Sequence, residues 1–87
     1  MIPAIVTLQM IAGLLMPPAV YDHYPNKPFK VIEVESRIVA ALCPKADLAL
    51  ACAFVGSRRV FVRDDLETAV RERVLRHEYA HLNGWRH

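Results

Sequence analysis

The sequence predicts a small α+β domain in which an antiparallel sheet packs on one C-terminal helix. Three observations support this prediction: the chain has only 87 residues, its middle part alternates apolar and polar residues, and its last part follows a helical period. A chain of this length forms one domain and buries little apolar surface. We therefore expect a disulfide or a metal ion to add to its stability.

The first 28 residues differ in composition from the rest. Residues 1–16 are almost wholly apolar, and their length suits the hydrophobic region of a signal peptide better than a membrane span of about twenty residues. No Lys or Arg precedes Lys27, so a helix or strand packed on the domain is the alternative. We favour a signal peptide or membrane anchor, and with it export. Residues 17–28 contain four prolines and predict an extended boundary, which leaves residues 29–87 as the domain.

Three elements are predicted between this boundary and the last helix. Residues 29–35 alternate apolar and polar side chains, as in a half-buried strand. Ser36 is predicted to cap a short helix that Pro44 closes. Two apolar runs then flank Gly56-Ser57, which predicts a β-hairpin with a two-residue type II′ turn. The alanines in the first run leave a helix open as the alternative there.

The C-terminal helix is predicted over residues 66–83, where the apolar period changes to that of a helix. Asp64 and Asp65 precede it, where an N-cap and a favourable charge for the helix dipole belong. Apolar residues form two stripes, so two sides of the helix should be partly buried. The surface between the stripes carries two expected i,i+4 ion pairs, Glu67/Arg71 and Glu72/Arg76.

Charge and cysteine content limit the class of protein. The net charge is +2 with acids and bases interspersed, so the chain has no basic stripe and nucleic acid is not expected as a partner. Cys43 and Cys52 are too far apart for a C-x-x-C pair, but their spacing allows a short disulfide loop worth about 2–3 kcal/mol in an oxidising compartment. Two buried thiols that pack as small apolar side chains are an equal alternative.

The last eleven residues, HEYAHLNGWRH, contain the residue types of a metal site. His77 and His81 are one helical turn apart, so their imidazoles lie on one side, at the separation that two ligands of one Zn²⁺ require. Glu78 is rotated about 100° from His77. It would lie beside the metal, where it suits a general base acting on water. Two imidazoles buried on an apolar stripe without a metal would leave ring nitrogens unsatisfied unless carbonyls or waters intervene, which also favours a bound ion.

Gly84 gives the chain a place to turn back after the helix. If the helix continued, His87 would lie roughly 15 Å along its axis from His77, too far to share an ion. Glycine accepts the left-handed conformation that ends helices at no steric cost. Asn83-Gly84 therefore predicts the helix end and the return of the chain.

This stretch resembles the H-E-x-x-H-x-x-G-x-x-H signature of the metzincin zinc endopeptidases. It is also similar to small, uncharacterised bacterial and phage proteins regarded as metallopeptidases, in which Asn-Gly-Trp follows a histidine-glutamate helix. The resemblance implies one Zn²⁺ held by His77, His81 and His87, with Glu78 as general base and a peptide or protein as substrate. Metzincins also carry a methionine-containing turn after the third histidine, whereas the methionines here lie upstream: Met1, Met10 and Met16.

Two other interpretations stay open. A purely structural zinc could stabilise a non-enzymatic binding or regulatory module, although such a site has no use for the Glu78 carboxylate. Alternatively, the chain is a membrane-associated protein anchored through residues 1–16, with the histidine motif incidental. His23 is a reserve ligand or substrate contact, although an exposed loop residue is the favoured interpretation of it. The substrate and the oligomeric state are not specified by the sequence.

Overall fold

The computed structural model describes residues 4–7, 16–43 and 49–86. Its elements, in chain order, are β1 (Ala4–Thr7), β2 (Lys30–Val34), α1 (Ser36–Leu42), β3 (Ala49–Phe54), β4 (Arg59–Arg63) and α2 (Thr68–Leu82). The strands form one sheet of order β1-β3-β4-β2. The α+β class and the packing of a sheet on the C-terminal helix are confirmed.

The sheet is mixed, whereas the sequence predicted a purely antiparallel one. β1 and β4 both pair antiparallel with β3, but β2 pairs parallel with β4. The cause is the connection through α1. The helix between β2 and β3 is long enough to leave one strand position open between these two strands, which a tight turn could not do. β4 occupies that position, between β3 and β2, and runs parallel to β2.

The β3–β4 hairpin surrounds Gly56-Ser57 as predicted, but its turn is not type II′. The turn comprises residues 55–58, and its left-handed residue is Arg58, at φ 55°, and not Gly56. The Arg58 side chain donates hydrogen bonds to the carbonyls of Pro28 at 2.8 Å and Leu82 at 3.4 Å. These bonds tie the turn to the proline-rich segment and to the end of α2, and they help to offset the cost of a left-handed arginine.

The two helices cover opposite faces of β3. The α2 side holds a buried cluster of Leu50, Ala51, Ala53, Val60, Val62, Val74, Leu75 and Leu82. The α1 side holds a smaller one of Val39, Cys43, Ala49 and Cys52. The neighbours Leu50 and Ala51 face the same cluster because the β1–β3 register shifts at this point, between the pairs Val6↔Ala51 and Thr7↔Ala49.

Of the two alternatives for the cysteines, the structure contains the disulfide, which joins Cys43 after α1 to Cys52 in β3.

Neither described helix is long and apolar enough to cross a membrane. Most of the predicted signal or anchor segment lies outside the described residues. Within it, residues 4–7 form the edge strand β1.

Both helices begin at positions other than those predicted. Glu35 precedes α1 as the N-cap in place of Ser36, and Glu67 precedes α2, without a side-chain capping bond in either case. Asp65 does not cap α2 because both of its carboxylate oxygens accept hydrogen bonds from the Arg63 guanidinium, at 2.9 and 2.7 Å. A bidentate pair of this kind competes well with capping.

The two predicted ion pairs along α2 are replaced by long-range ones. Arg71 pairs with Glu33 of β2 at 2.7 Å, and Arg76 pairs with Asp22 of the proline-rich segment. Hydrogen bonding from Arg76 lowers the pKa of the Asp22 carboxyl. Both arginines thus connect α2 to segments that lie far from it in sequence.

Candidate functional site

The charged and polar residues of the motif lie on the buried side of α2. His77, Glu78 and His81 are 1%, 0% and 5% exposed. They are buried because α2 packs against the sheet along this side, where its apolar neighbours Val74 and Leu75 join the larger core cluster. The helix therefore places two imidazoles and a carboxyl group inside a small domain, where polar groups are costly to bury.

The two histidines have the spacing of a metal-binding pair. Their Nε2 atoms lie 3.2 Å apart, and two nitrogens that bind one tetrahedral Zn²⁺ at 2.0–2.1 Å lie about 3.3 Å apart. With no ion between them, one proton can bridge the two nitrogens as a hydrogen bond. The separation of the two nitrogens is therefore that of two ligands of one Zn²⁺.

The tautomer of His81 suits this role. His81 Nδ1 lies 2.7 Å from the carbonyl oxygen of Trp85, and because a carbonyl only accepts, Nδ1 carries the proton. The lone pair of the neutral ring is then on Nε2, which faces His77. A carbonyl that fixes the tautomer and orientation of a histidine in this way is typical of the surroundings of metal ligands.

The turn after α2 brings Trp85 back to the histidines. Gly84 has φ +109°, its N–H donates to the His81 carbonyl at 3.1 Å, and the Trp85 N–H donates to the Ala80 carbonyl at 3.0 Å. These two bonds define a Schellman motif with Asn83 as the C-cap. The structure thus ends the helix and reverses the chain where the sequence predicts.

Trp85 itself was not singled out by the sequence. Its ring stacks on His81 with centroids 5.0 Å apart and an interplanar angle of 13°, and it meets the His77 ring edge-on, also at 5.0 Å. Its carbonyl and its ring thus both hold the histidine pair. The available signal was its position directly after the helix-ending glycine, where a residue at C″ commonly packs back on the helix.

Asn83 was also missed. Its side-chain amide donates to the carbonyls of Tyr21 at 2.9 Å and His23 at 2.8 Å. Together with the Arg76–Asp22 pair, this fastens the proline-rich segment along α2. The asparagine of the Asn-Gly-Trp sequence therefore has a structural role distinct from that of the histidines.

Two candidate ligands remain, His87 and His23. His87 lies outside the described residues. His23 is exposed beside Asn83, and its Nδ1 lies 3.0 Å from the Tyr24 carbonyl. Over residues 4–7, 16–43 and 49–86, no group of three or more His, Cys, Asp or Glu side chains could hold a metal ion.

Glu78 is the most unusual residue of the site. Among the described part of the chain, neither of its carboxyl oxygens has a hydrogen-bond partner. Burial raises the pKa of Glu78 well above its ordinary value. The backbone of Ala53 in β3 lies near enough to lower this pKa by a smaller amount, although it makes no hydrogen bond of ordinary geometry with either oxygen. Buried polar groups are nearly always paired in folded proteins, so an unpaired one calls for an explanation.

A separate cleft of about 450 Å³ lies on another side of α2, between that helix and the proline-rich segment. Tyr24, Tyr79 and the Asp22–Arg76 pair are among its lining residues. It contains none of the three buried motif residues, and both of its arginines are already paired with carboxylates. We therefore place the candidate chemistry at the histidine pair and not in this cleft.

Comparisons with protein-family models, curated proteins and solved structures gave no match for this chain.

Proposed function

We propose that this chain is a minimal zinc-dependent peptidase. The observation that carries the proposal is a pair of imidazole Nε2 atoms 3.2 Å apart on a helix that also carries a fully buried carboxyl group without a hydrogen-bond partner among the described residues. Each half is uncommon in a protein core. Metal-assisted hydrolysis requires metal donors and a base, and these residue types supply two donors and one base.

His77 and His81 would hold one Zn²⁺ through Nε2, with His87 as the third ligand that the sequence resemblance implies. Zinc, when bound, would acidify a water molecule and polarise the scissile carbonyl. The Trp85 carbonyl keeps His81 in the tautomer that offers Nε2, and the indole ring restrains both imidazoles.

Glu78 would act as general base and then as general acid. Its carboxylate accepts a proton from the attacking water and returns it to the leaving amine. Burial raises the pKa of Glu78 and so favours its protonated form, whereas a general base must be ionised and within reach of water. A cation within reach of the carboxyl group would favour the ionised form that this role requires.

The test combines metal analysis with hydrolysis. We expect the purified protein to contain one Zn²⁺ by elemental mass spectrometry and to cleave an unfolded protein substrate such as reduced casein. Glu78→Gln should keep zinc and lose hydrolysis, because an amide cannot accept the proton. Glu72→Gln is the matched control, since Glu72 is an exposed glutamate on the same helix. Hydrolysis that survives Glu78→Gln would contradict the proposal.

A second candidate is a non-enzymatic module with a structural metal site. The near-complete burial of His77, Glu78 and His81 favours it, because structural zinc sites are closed whereas catalytic ones keep a position open to substrate. Zinc at one equivalent, loss of the fold on chelation and no cleavage of varied substrates by the wild type would support this alternative.

A further inference from the structure

The edge of the sheet beside the candidate site is covered by a short strand from the same chain. β3 has β4 on one side and β1 on the other, so β3 is an inner strand only because β1 pairs with it. The register places Ala4 of β1 opposite Ala53 of β3, the residue whose backbone acts on the Glu78 carboxyl. β1 also packs against α2. It thus runs along the edge from which an extended peptide would reach Glu78.

The pairing of β1 is limited. Its described part has four residues, and its register shifts between Val6 and Thr7, so within the described residues regular pairing covers Ala4, Ile5 and Val6. The rest of the sheet does not depend on it, because β3 pairs with β4, and β4 with β2. A strand held by so few ladder bonds can leave while the remaining sheet and α2 stay packed.

We propose that β1 is the internal occupant of a peptide-binding edge: an extended peptide pairs antiparallel with β3 in place of β1, and β1 restricts access to the site until it is displaced. Strand addition supplies affinity through main-chain hydrogen bonds, so the ligand is an extended segment without proline at the paired positions. The step from bound peptide to cleaved substrate rests on the proposed function, whereas peptide binding at this edge does not.

β3 is suited to exchange its partner strand. Ala51 and Ala53 are fully buried in the α2-side cluster, and such small side chains let a neighbouring backbone lie close to α2. The near-complete burial of Glu78 implies that a substrate reaches it only after something moves. Exchange of β1 for a substrate strand would provide that access without unfolding the domain.

The experiment measures binding of a fluorescein-labelled peptide, residues 1–10 of this chain, to full-length protein by fluorescence anisotropy. Ile5→Pro and Val6→Pro are a matched pair, because the N–H groups of successive strand residues point to opposite sides and only one of the two faces β3. We expect one variant to bind the peptide at least tenfold more tightly than the wild type, and the other to resemble the wild type. A scrambled peptide should not bind.

Neither variant gaining affinity, or equal binding of the scrambled peptide, would overturn the proposal. Hydrogen exchange on the wild type gives a second measurement that does not depend on how the variants fold. Amides of residues 4–7 should exchange at least tenfold faster than those in the β3–β4 ladder, and exchange of β1 only on global unfolding would refute the idea. Peptide binding without any hydrolysis would support the peptide-binding edge and contradict the proposed peptidase function.

Discussion

Gly84→Ala tests the turn that brings the chain back to the histidines. Gly84 has φ +109°, a conformation that costs an L-residue roughly 1–2 kcal/mol. A Cβ atom there would meet only the Tyr21 ring, at 3.8 Å, which is ordinary van der Waals contact. The loss of stability should therefore come from the backbone alone, and we expect the free energy of unfolding to fall by about 1–2 kcal/mol.

The same substitution should weaken metal binding. If the backbone at Gly84 relaxes, Trp85 moves, and its carbonyl no longer holds His81 Nδ1 at 2.7 Å. Loss of such a supporting contact typically costs about 10–100-fold in metal affinity. Zinc affinity from a competition titration should fall in this range while His77 and His81 remain on their helix.

Urea unfolding can be followed by the fluorescence of Trp85, which is the single tryptophan of the chain and lies in the turn under test. Gly56→Ala is the control, because Gly56 lies in an exposed turn without a positive φ. Its effect should stay within about 0.5 kcal/mol. An unchanged midpoint for Gly84→Ala, or an equal loss for Gly56→Ala, would refute the argument from backbone strain.

Three further predictions concern other parts of the molecule. Deletion of His87 should lower zinc affinity by well over tenfold, more than about 1.4 kcal/mol, since a ligand contributes more than its supporting contacts. Replacing Cys43 and Cys52 together with alanine should lower the free energy of unfolding by about 2.7 kcal/mol, the chain-entropy value for a loop of nine or so residues. Asp22→Asn should lower stability at neutral pH and make the loss of stability on acidification shallower than in the wild type.

The sign of the last prediction follows from the lowered pKa of Asp22. A depressed pKa in the folded state means that the Arg76 pair contributes above the ordinary value of 3.8 and is lost as pH falls through the lowered one. Glu72→Gln, which removes another exposed carboxylate of this region, is the matched control. If the free energy of unfolding falls equally steeply with decreasing pH in Asp22→Asn and the wild type, this account is contradicted.

Controls for the other two variants are equally direct. Zinc binding as tight without His87 as with it would exclude His87 as a ligand, and His23 would then be the next residue to replace. A reducing agent should destabilise the wild type but leave the double alanine variant unaffected. Wild-type protein whose stability is insensitive to reduction would argue against the disulfide in solution.

The elements predicted correctly are those specified by neighbouring residues. β2, the hairpin around Gly56-Ser57 and α2 follow from apolar periods and turn residues within one segment. The parallel pairing of β2 with β4 could not be obtained in this way, because it depends on which strand fills the position that α1 leaves open. Sequence periodicity specifies which face of a strand is buried, but not its neighbour in the sheet.

The same distinction explains the ion pairs. The i,i+4 rule selects Glu72 for Arg76 because it considers one helix alone. In the folded chain, Asp22 reaches Arg76 because Asn83 holds the nearby backbone of Tyr21 and His23. A side chain fixed by such neighbours loses less conformational entropy on pairing than a mobile residue of the same exposed helix face. Tertiary structure therefore determines that Arg76 pairs with Asp22 and not with Glu72.

The candidate site combines both kinds of information. The facing of His77 and His81 is a property of one helical turn, which sequence spacing specifies. The contacts of Trp85 depend on where the chain goes after Gly84, and the isolation of Glu78 depends on the whole α2–sheet interface. Sequence therefore indicated the candidate donors of the site, but not the residues that orient and enclose them.

The isolation of Glu78 is also the strongest physical reason to expect a cation here. An unpaired buried polar group costs about 1–3 kcal/mol, a large share of the stability available to a domain of this size. A leucine would fill a similar volume at no such cost. This free-energy cost would be offset if the Glu78 carboxyl group faces a positive charge in the functional state. An adjacent cation favours the ionised carboxylate and compensates for its loss of hydration. The Nε2 atoms of His77 and His81 match the spacing of two zinc ligands, so a bound cation within reach of the Glu78 carboxyl group would account both for the burial of the glutamate and for the spacing of the histidines.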